Sequence, residues 1–457
     1  MRSILTIVVA AWGVFGQSLP NLFPLPNPSG LAATYNATGG PIDLSGPFFQ
    51  SLGTNGRSCG SCHRPGQGWS ISPAEVRLRF ELTQGLDPIF RTNDGSNCDH
   101  GIDTSTVTAR RQAYSLLLDR GLIRVALPVP AYAEFEVVSV KNPYGCGDVA
   151  ALSMYRRPLP STNLRFLSTV MWDGRESSPQ TGTLKITGAT NPADLLANLA
   201  HQSLDATNGH AQAATPLTQQ QQAGIVAFEM ALSTAQWIDY QAGFLNFGGA
   251  TGGPQALSTV TTPAFFIGSN DPLGQNPKGI PFTPVIFSLY DAWANASGRR
   301  AAIARGQALF NSKPINIVGV GGINDDLGIP SLPGTCGTCH DALNAGNHSV
   351  PLPINIGVSE VDSPLDVRYL PKITLVNKST HELKTTTDPG RALVTGLWKD
   401  VGKVKGPVLR GLAARAPYFH NGSAATLPDV VEFYEKRFNI GLTDSEKRDL
   451  IAFLNSL

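Results

Sequence analysis

Two short stretches constrain this chain more than anything else in it: Cys59-Gly60-Ser61-Cys62-His63 and Cys336-Gly337-Thr338-Cys339-His340. A C-x-x-C-H sequence lets two thiols add across the vinyl groups of one haem while the adjacent imidazole reaches the iron as proximal ligand, a local geometry that needs two intervening residues. With six Cys and eight His in the chain, two chance matches have odds on the order of one in a million. The same thiols could instead form redox-active dithiols, or a four-thiolate zinc site drawn from both copies. The His directly after the second Cys in each copy weighs against both. The expectation is two covalently bound c-type haems, held by Cys59, Cys62, Cys336 and Cys339, with His63 and His340 on the irons.

The start of the chain reads as an export signal. Arg2 is followed by the apolar run Ile4 to Phe15 and by Val14-Phe15-Gly16 as a cleavage site, so residues 1–16 form the expected signal peptide. The run is too short to span a bilayer comfortably and no Cys follows it to accept lipid, so no membrane anchor is expected. A buried N-terminal strand or helix is the alternative. In an oxidising compartment the two remaining cysteines, Cys98 and Cys146, are expected to pair, worth at most roughly 4 kcal/mol on the chain-entropy estimate; free buried thiols are the other reading. Lys+Arg 35 against Asp+Glu 34 gives a formal charge of +1, so no long-range field draws in nucleic acid or anionic lipid. Only 15% of residues are charged, while Gly 47 and Pro 34 are abundant, which predicts short helices separated by ordered, turn-rich connections.

An internal duplication organises the chain. Leu217-Thr218, Gln221, Ile225-Val226-Ala227-Phe228 and Leu232 recur at the same spacing as Leu442-Thr443, Glu446, Leu450-Ile451-Ala452-Phe453 and Leu457. Thr followed three residues on by Gln or Glu is a capping box, and the apolar positions make a core-facing helical stripe. Ser72-Pro73-Ala74-Glu75 is another helix start, and Gly298 to Phe310 is helical in composition. The predicted fold is all-α: two cytochrome c-like haem domains joined by loop-rich linkers, at 17–240 and 296–457, with a linker or interface at 241–295. The first copy runs longer, and its insertion is placed at about 93–150. Ile123 to Val129 and Phe135 to Val140 could be short strands there, but no sustained alternation predicts a sheet.

Taken together, the two haem motifs, Met171-Trp172-Asp173-Gly174-Arg175 between them, and Ala416-Pro417-Tyr418-Phe419-His420-Asn421-Gly422-Ser423 before the last helix resemble the bacterial dihaem cytochrome c peroxidases and the related MauG-type dihaem enzymes. The resemblance covers nearly the whole mature chain except the insertion. It implies a periplasmic oxidoreductase in which hydrogen peroxide reacts at the N-terminal haem, the C-terminal haem passes electrons and Trp172 bridges them. A Trp that merely fills the interface is the plainer reading of that residue. The C-terminal iron of the peroxidases takes Met; this chain has four Met, at 1, 154, 171 and 230, and Tyr434 stands at the expected position. That matches the MauG-type pattern, whose Tyr ligand stabilises ferric or higher-valent iron; a packed Tyr, with His348 on the iron or the position open, is the alternative. His420 reads as a group behind the ligands.

The family's distal His position is Arg79 here, and the nearest downstream His is His100. The family's distal Glu segment has no match in 183–212, which leaves His201 or His210 as the acid/base, with His210 preferred. The electron donor implied is a small c-type cytochrome or copper protein; a MauG-type oxidase would act on a protein or aromatic substrate, and a non-enzymatic dihaem electron carrier is the third reading. The resemblance also leaves room for calcium between the domains, although Arg415 occupies a position usually held by a smaller residue.

Overall fold

The structure, a computed structural model, describes residues 16–177, 189, 191–261, 265–274 and 276–457. The export signal therefore lies, apart from Gly16, outside the described residues. Among those described, no helix is long and apolar enough to cross a membrane.

The expected all-α architecture is wrong. The chain is mixed α/β, about 31% helix and 17% strand, with several small sheets. Strand β1 (Gly30–Asn36) pairs antiparallel with a strand far along the chain, β5 (Leu232–Asp239), from Gly30↔Asp239 to Asn36↔Leu232. In between, β2 (Ile123–Pro128), β3 (Phe135–Lys141) and β4 (Ala151–Arg156) come from the presumed insertion and its edge. β2 pairs with β4, whereas β3 pairs with β6 (Lys372–Asn377), which in turn pairs with β7 (Leu383–Thr386).

Strands β2 and β3 stand where the sequence allowed short ones; the others escaped for a physical reason. β4 and β5 are buried along almost their whole length, so both faces are apolar or internally paired and the alternation of a half-solvated strand is missing. β5 also begins at Leu232, directly where the duplicated helical stripe ends, with no Gly or Pro to mark the change. Gly30 permits the approach of β1 to β5, since a Cβ there would stand 1.9 Å from the Ile238 carbonyl oxygen.

The helices follow their caps. Ser72 receives the Glu75 amide at the start of α1 (Pro73–Thr83), and α2 (Pro192–His210) starts at Asn191. The duplicated pair, α3 (Gln219–Ala231) and α6 (Asp444–Asn455), both carry reciprocal capping boxes, Thr218 with Gln221 and Thr443 with Glu446. Between them run α4 (Gly298–Ser312) and α5 (Leu427–Phe438). α4 crosses α6 closely enough that a Cβ at Gly306 would lie 2.0 Å from the Asp449 carbonyl oxygen. Segment 241–295 contributes Leu245, Phe287, Tyr290 and Trp293 to the same core as Phe310 and Phe453. A separate core of Phe135, Met154, Ile373, Leu375 and Trp398 seals β3 against β6, so the 93–150 segment is built into the fold rather than appended to it.

Cys98 and Cys146 form a disulfide across 48 residues. Replacing both with Ser is expected to lower stability by up to roughly 4 kcal/mol, read as a lower denaturation midpoint in urea; an unchanged midpoint would show that the denatured loop is already constrained.

Candidate active site

The N-terminal motif is a tight 3-10 turn, Cys59–Ser61, held by reciprocal hydrogen bonds between Ser58 and Ser61. The His63 amide closes the turn on the Cys59 carbonyl at 3.0 Å. A carbonyl can only accept, so His63 Nδ1 donates to the Trp69 oxygen at 2.9 Å, six residues downstream. That fixes the tautomer and leaves Nε2 as the lone-pair nitrogen. Burial lowers the pKa of His63, so the imidazole stays neutral, as a metal ligand must be.

The C-terminal motif repeats the design. Thr335 and Thr338 cap the single turn Cys336–Cys339, and His340 Nδ1 donates to the Gly346 carbonyl at 2.7 Å, again six residues downstream. Burial pushes His340 down to about 4. The thiols argue against the rival chemistries. Burial drives Cys59, Cys336 and Cys339 up to about 12 and raises Cys62, whereas a redox-active dithiol needs a lowered pKa. Among the described residues no group of metal-binding side chains joins the two pairs.

Cys59, Cys62, His63, Trp172 and His210 line one cavity of about 1620 Å³, its open mouth included, with a mainly apolar wall. His210 ends α2 and is held on two sides. Its Nδ1 meets the Asp94 carboxylate, which also pairs with Arg57, and its carbonyl accepts from Asn55 Nδ2 at 2.8 Å and Arg57 Nη1 at 3.3 Å. Burial alone would raise Asp94, but His210 and Arg57 outweigh it and hold the carboxyl low.

Trp172 donates its indole N–H to the Arg157 carbonyl at 2.7 Å. Its ring stands 6.1 Å from that of His420, edge-on, and the residue before His420, Phe419, lies 6.3 Å from Tyr434. Tyr434, on α5, packs in an apolar cluster with Cys336, Cys339, Ile354 and Phe438. Burial and the two neighbouring thiols raise its phenol, so it keeps its proton unless a cation takes the proton's place. His420 is buried and neutral, pushed to about 4, with Ser359 Oγ at 3.4 Å.

The other candidate histidines are engaged elsewhere. His201 pairs with Glu176 at 2.6 Å, His100 with Asp99 at 2.7 Å on an exposed loop, and His348 lies 3.2 Å from Asp341. Arg79 pairs with Asp87 and donates to the Ser61 carbonyl at 2.6 Å.

Asp94, Arg57, Lys405 and Glu229 also line the cavity, and the sequence reading missed all four. Only Glu229 left a signal: it interrupts the apolar stripe of α3 where the duplicated helix α6 has Leu454. Glu229 is buried, its Oε2 has no partner among the described residues, and burial pushes its carboxyl up to about 8. A carboxyl with a raised folded pKa contributes fully at low pH and loses stability as pH rises from about 4.5 to about 8. Glu229→Gln is therefore expected to flatten that decline in a series of urea titrations; an unaltered slope would show that Glu229 is ionised in the folded chain.

No protein-family model matches the chain. It is similar to the cytochrome c peroxidase IdrP1 of Denitromonas iodatirespirans, 29% identical over 192 residues, covering 37% of this chain and 44% of that protein. It is also similar to the cytochrome c peroxidase Ccp of Escherichia coli, 40% identical over 75 residues, 16% of each. The match thus spans less than half the length of these curated relatives. Among solved structures, a MauG-like protein associated with microbial copper homeostasis aligns over 89% of this chain and 85% of its own, at 16% identity and a TM-score of 0.35. The resemblance read from the motifs is borne out by the curated relatives.

Proposed function

We propose that the chain is an exported, periplasmic dihaem c-type peroxidase that reduces hydrogen peroxide with electrons from a small c-type cytochrome or copper protein. The observation that carries the reading is the matched pair of imidazoles, each neutral and each fixed through Nδ1 by a carbonyl six residues on, the first on the wall of a mainly apolar cavity. The residues fit the group. Cys59 and Cys62 would attach the first haem and His63 its iron; Cys336, Cys339, His340 and Tyr434 would hold the second. When bound, haem supplies the redox-active iron that accepts peroxide and exchanges electrons.

The chain's own residues do the rest. With Nδ1 turned to Asp94, His210 keeps Nε2 to take the proton of the near peroxide oxygen and return it to the leaving one. Trp172, aligned by the Arg157 carbonyl and packed against His420, is the bridge between the two sites in this reading. In this reading the peroxidatic domain is 17–240, segment 241–295 joins it to the electron-transferring domain 296–457, and calcium between them is an additional ligand to test.

Tyr434 beside Cys336 and Cys339 favours a second reading, a MauG-type oxidase of a protein or aromatic substrate, over a non-enzymatic electron carrier. Low-temperature electron paramagnetic resonance of the ferric protein separates them. One high-spin and one low-spin signal that both vanish with stoichiometric peroxide are expected. Two low-spin signals indifferent to peroxide would leave only electron transfer, and oxidation of an aromatic substrate faster than of the cytochrome would favour the oxidase.

A further inference from the structure

Three buried cations stand on the wall of the first cavity without a carboxylate among the described residues. Lys405, Arg157 and Arg415 are 6%, 4% and 8% exposed, and all three line the cavity. Their hydrogen bonds go to backbone oxygens: Lys405 Nζ to Thr169 at 2.7 Å, Arg157 to Gly121 at 3.0 Å and Arg415 at 3.1 Å, Arg415 Nη2 to Val408 at 2.8 Å. The nearby anions are already committed. Asp173 pairs with Arg156 and Arg175, and Asp388 with Arg156.

Carbonyls satisfy donors but do not cancel charge, and an unpaired charge in an apolar wall is among the least tolerable things a fold can bury. The cost registers on all three. Burial lowers Lys405 to about 7, with Asp173 opposing it, burial together with the neighbouring Arg415 lowers Arg157 to about 9, and burial lowers Arg415 to about 10. A cavity whose wall carries surplus positive charge is built for an anion. The planar forks of the guanidiniums match a carboxylate better than a spherical ion.

We propose that Lys405, Arg157 and Arg415 form a receptor for the carboxylate-bearing edge of the ligand in this cavity. Resting on the reading above, that edge is the propionate side of the haem held at Cys59 and Cys62. The sequence gives the cluster no motif, because its members come from three separate stretches that meet only in the folded chain.

The test uses the full-length holoprotein, with haem per chain counted first by the pyridine haemochrome assay. Removing a cation beside the carboxylates stabilises the more positive ferric state, so Lys405→Met and Arg415→Met should each shift the midpoint potential of the N-terminal haem downward. Lys405→Arg should restore it, and Lys399→Met, an exposed cation, should leave it in place. Unshifted potentials in variants that retain two haems overturn the receptor. Fewer than two haems in the unmodified protein overturn the reading beneath it instead. A saturable shift of the wild-type Soret band with acetate or inorganic phosphate, lost in Lys405→Met, would give the receptor to a free anion and overturn the propionate assignment. Should Lys405→Met not fold, Arg415→Lys keeps a charge but loses the fork, and a smaller downward shift is the supporting result.

Discussion

Arg156→Met is expected to cost the fold about 3–5 kcal/mol, because it breaks a buried ion pair while leaving both acidic partners in place. Arg156 is 2% exposed, Asp173 0% and Asp388 2%, and its guanidinium holds Asp388 through Nε at 2.7 Å and Nη2 at 2.9 Å while Nη1 pairs with Asp173. Burial opposes ionisation of both carboxyls, and the guanidinium charges outweigh it and hold both low. For carboxyls held low, the stabilisation is present above their unfolded pKa, about 3.9, and is lost as pH falls through the folded value. In the variant Asp173 keeps Arg175, whereas Asp388 loses its guanidinium and burial raises it, so the deficit should be largest near neutrality and shrink in mild acid. Urea titrations at both pH values check this, and an equal deficit at each would mean that lost packing of the Arg stem, not uncompensated charge, sets the cost. A loss of this size is a large fraction of the 5–15 kcal/mol typical of folded domains.

That network also shows what the sequence could and could not reveal. The two C-x-x-C-H turns were legible because their geometry is local: the turn, the cap and the imidazole all lie within a few residues of one another. The capped helices α1, α3 and α6 were legible for the same reason, since a capping box is written in four consecutive positions. Asp388 lies 232 residues from Arg156 and Asp173 lies 17 residues from it, and nothing in either stretch announces the other. The same holds for Asp94, which comes from the start of the supposed insertion yet reaches His210 at the end of α2. The mistaken all-α expectation has a related cause. β1 pairs with β5 and β3 with β6 across long sequence separations, and β4 and β5, buried along almost their whole length, lack the period of two that would have betrayed them. The sequence offered both His201 and His210 as acid/base and preferred His210; in the fold Glu176 faces His201, while Asp94 holds His210 against the cavity.

If the proposed second haem takes Tyr434 as a ligand, Tyr434→Met is expected to raise its midpoint potential by on the order of 0.1 V or more, within the roughly 0.8 V that axial ligands span. A phenolate is a hard anionic donor that favours ferric iron, whereas a thioether favours the reduced state. The position suits either side chain. Tyr434 sits on α5 among Cys336, Cys339, Ile354 and Phe438, and Met is flexible enough to fill the space the ring vacates. The ring also stacks on Phe438, with centroids 6.3 Å apart, so Tyr434→Phe keeps the packing and deletes only the oxygen. If the phenol is the ligand, both variants lose its phenolate-to-iron absorption, and only Met restores a six-coordinate low-spin iron of raised potential. If neither variant moves the potential, Tyr434 is a packing residue, and His348, buried 3.2 Å from Asp341, becomes the side chain to substitute next.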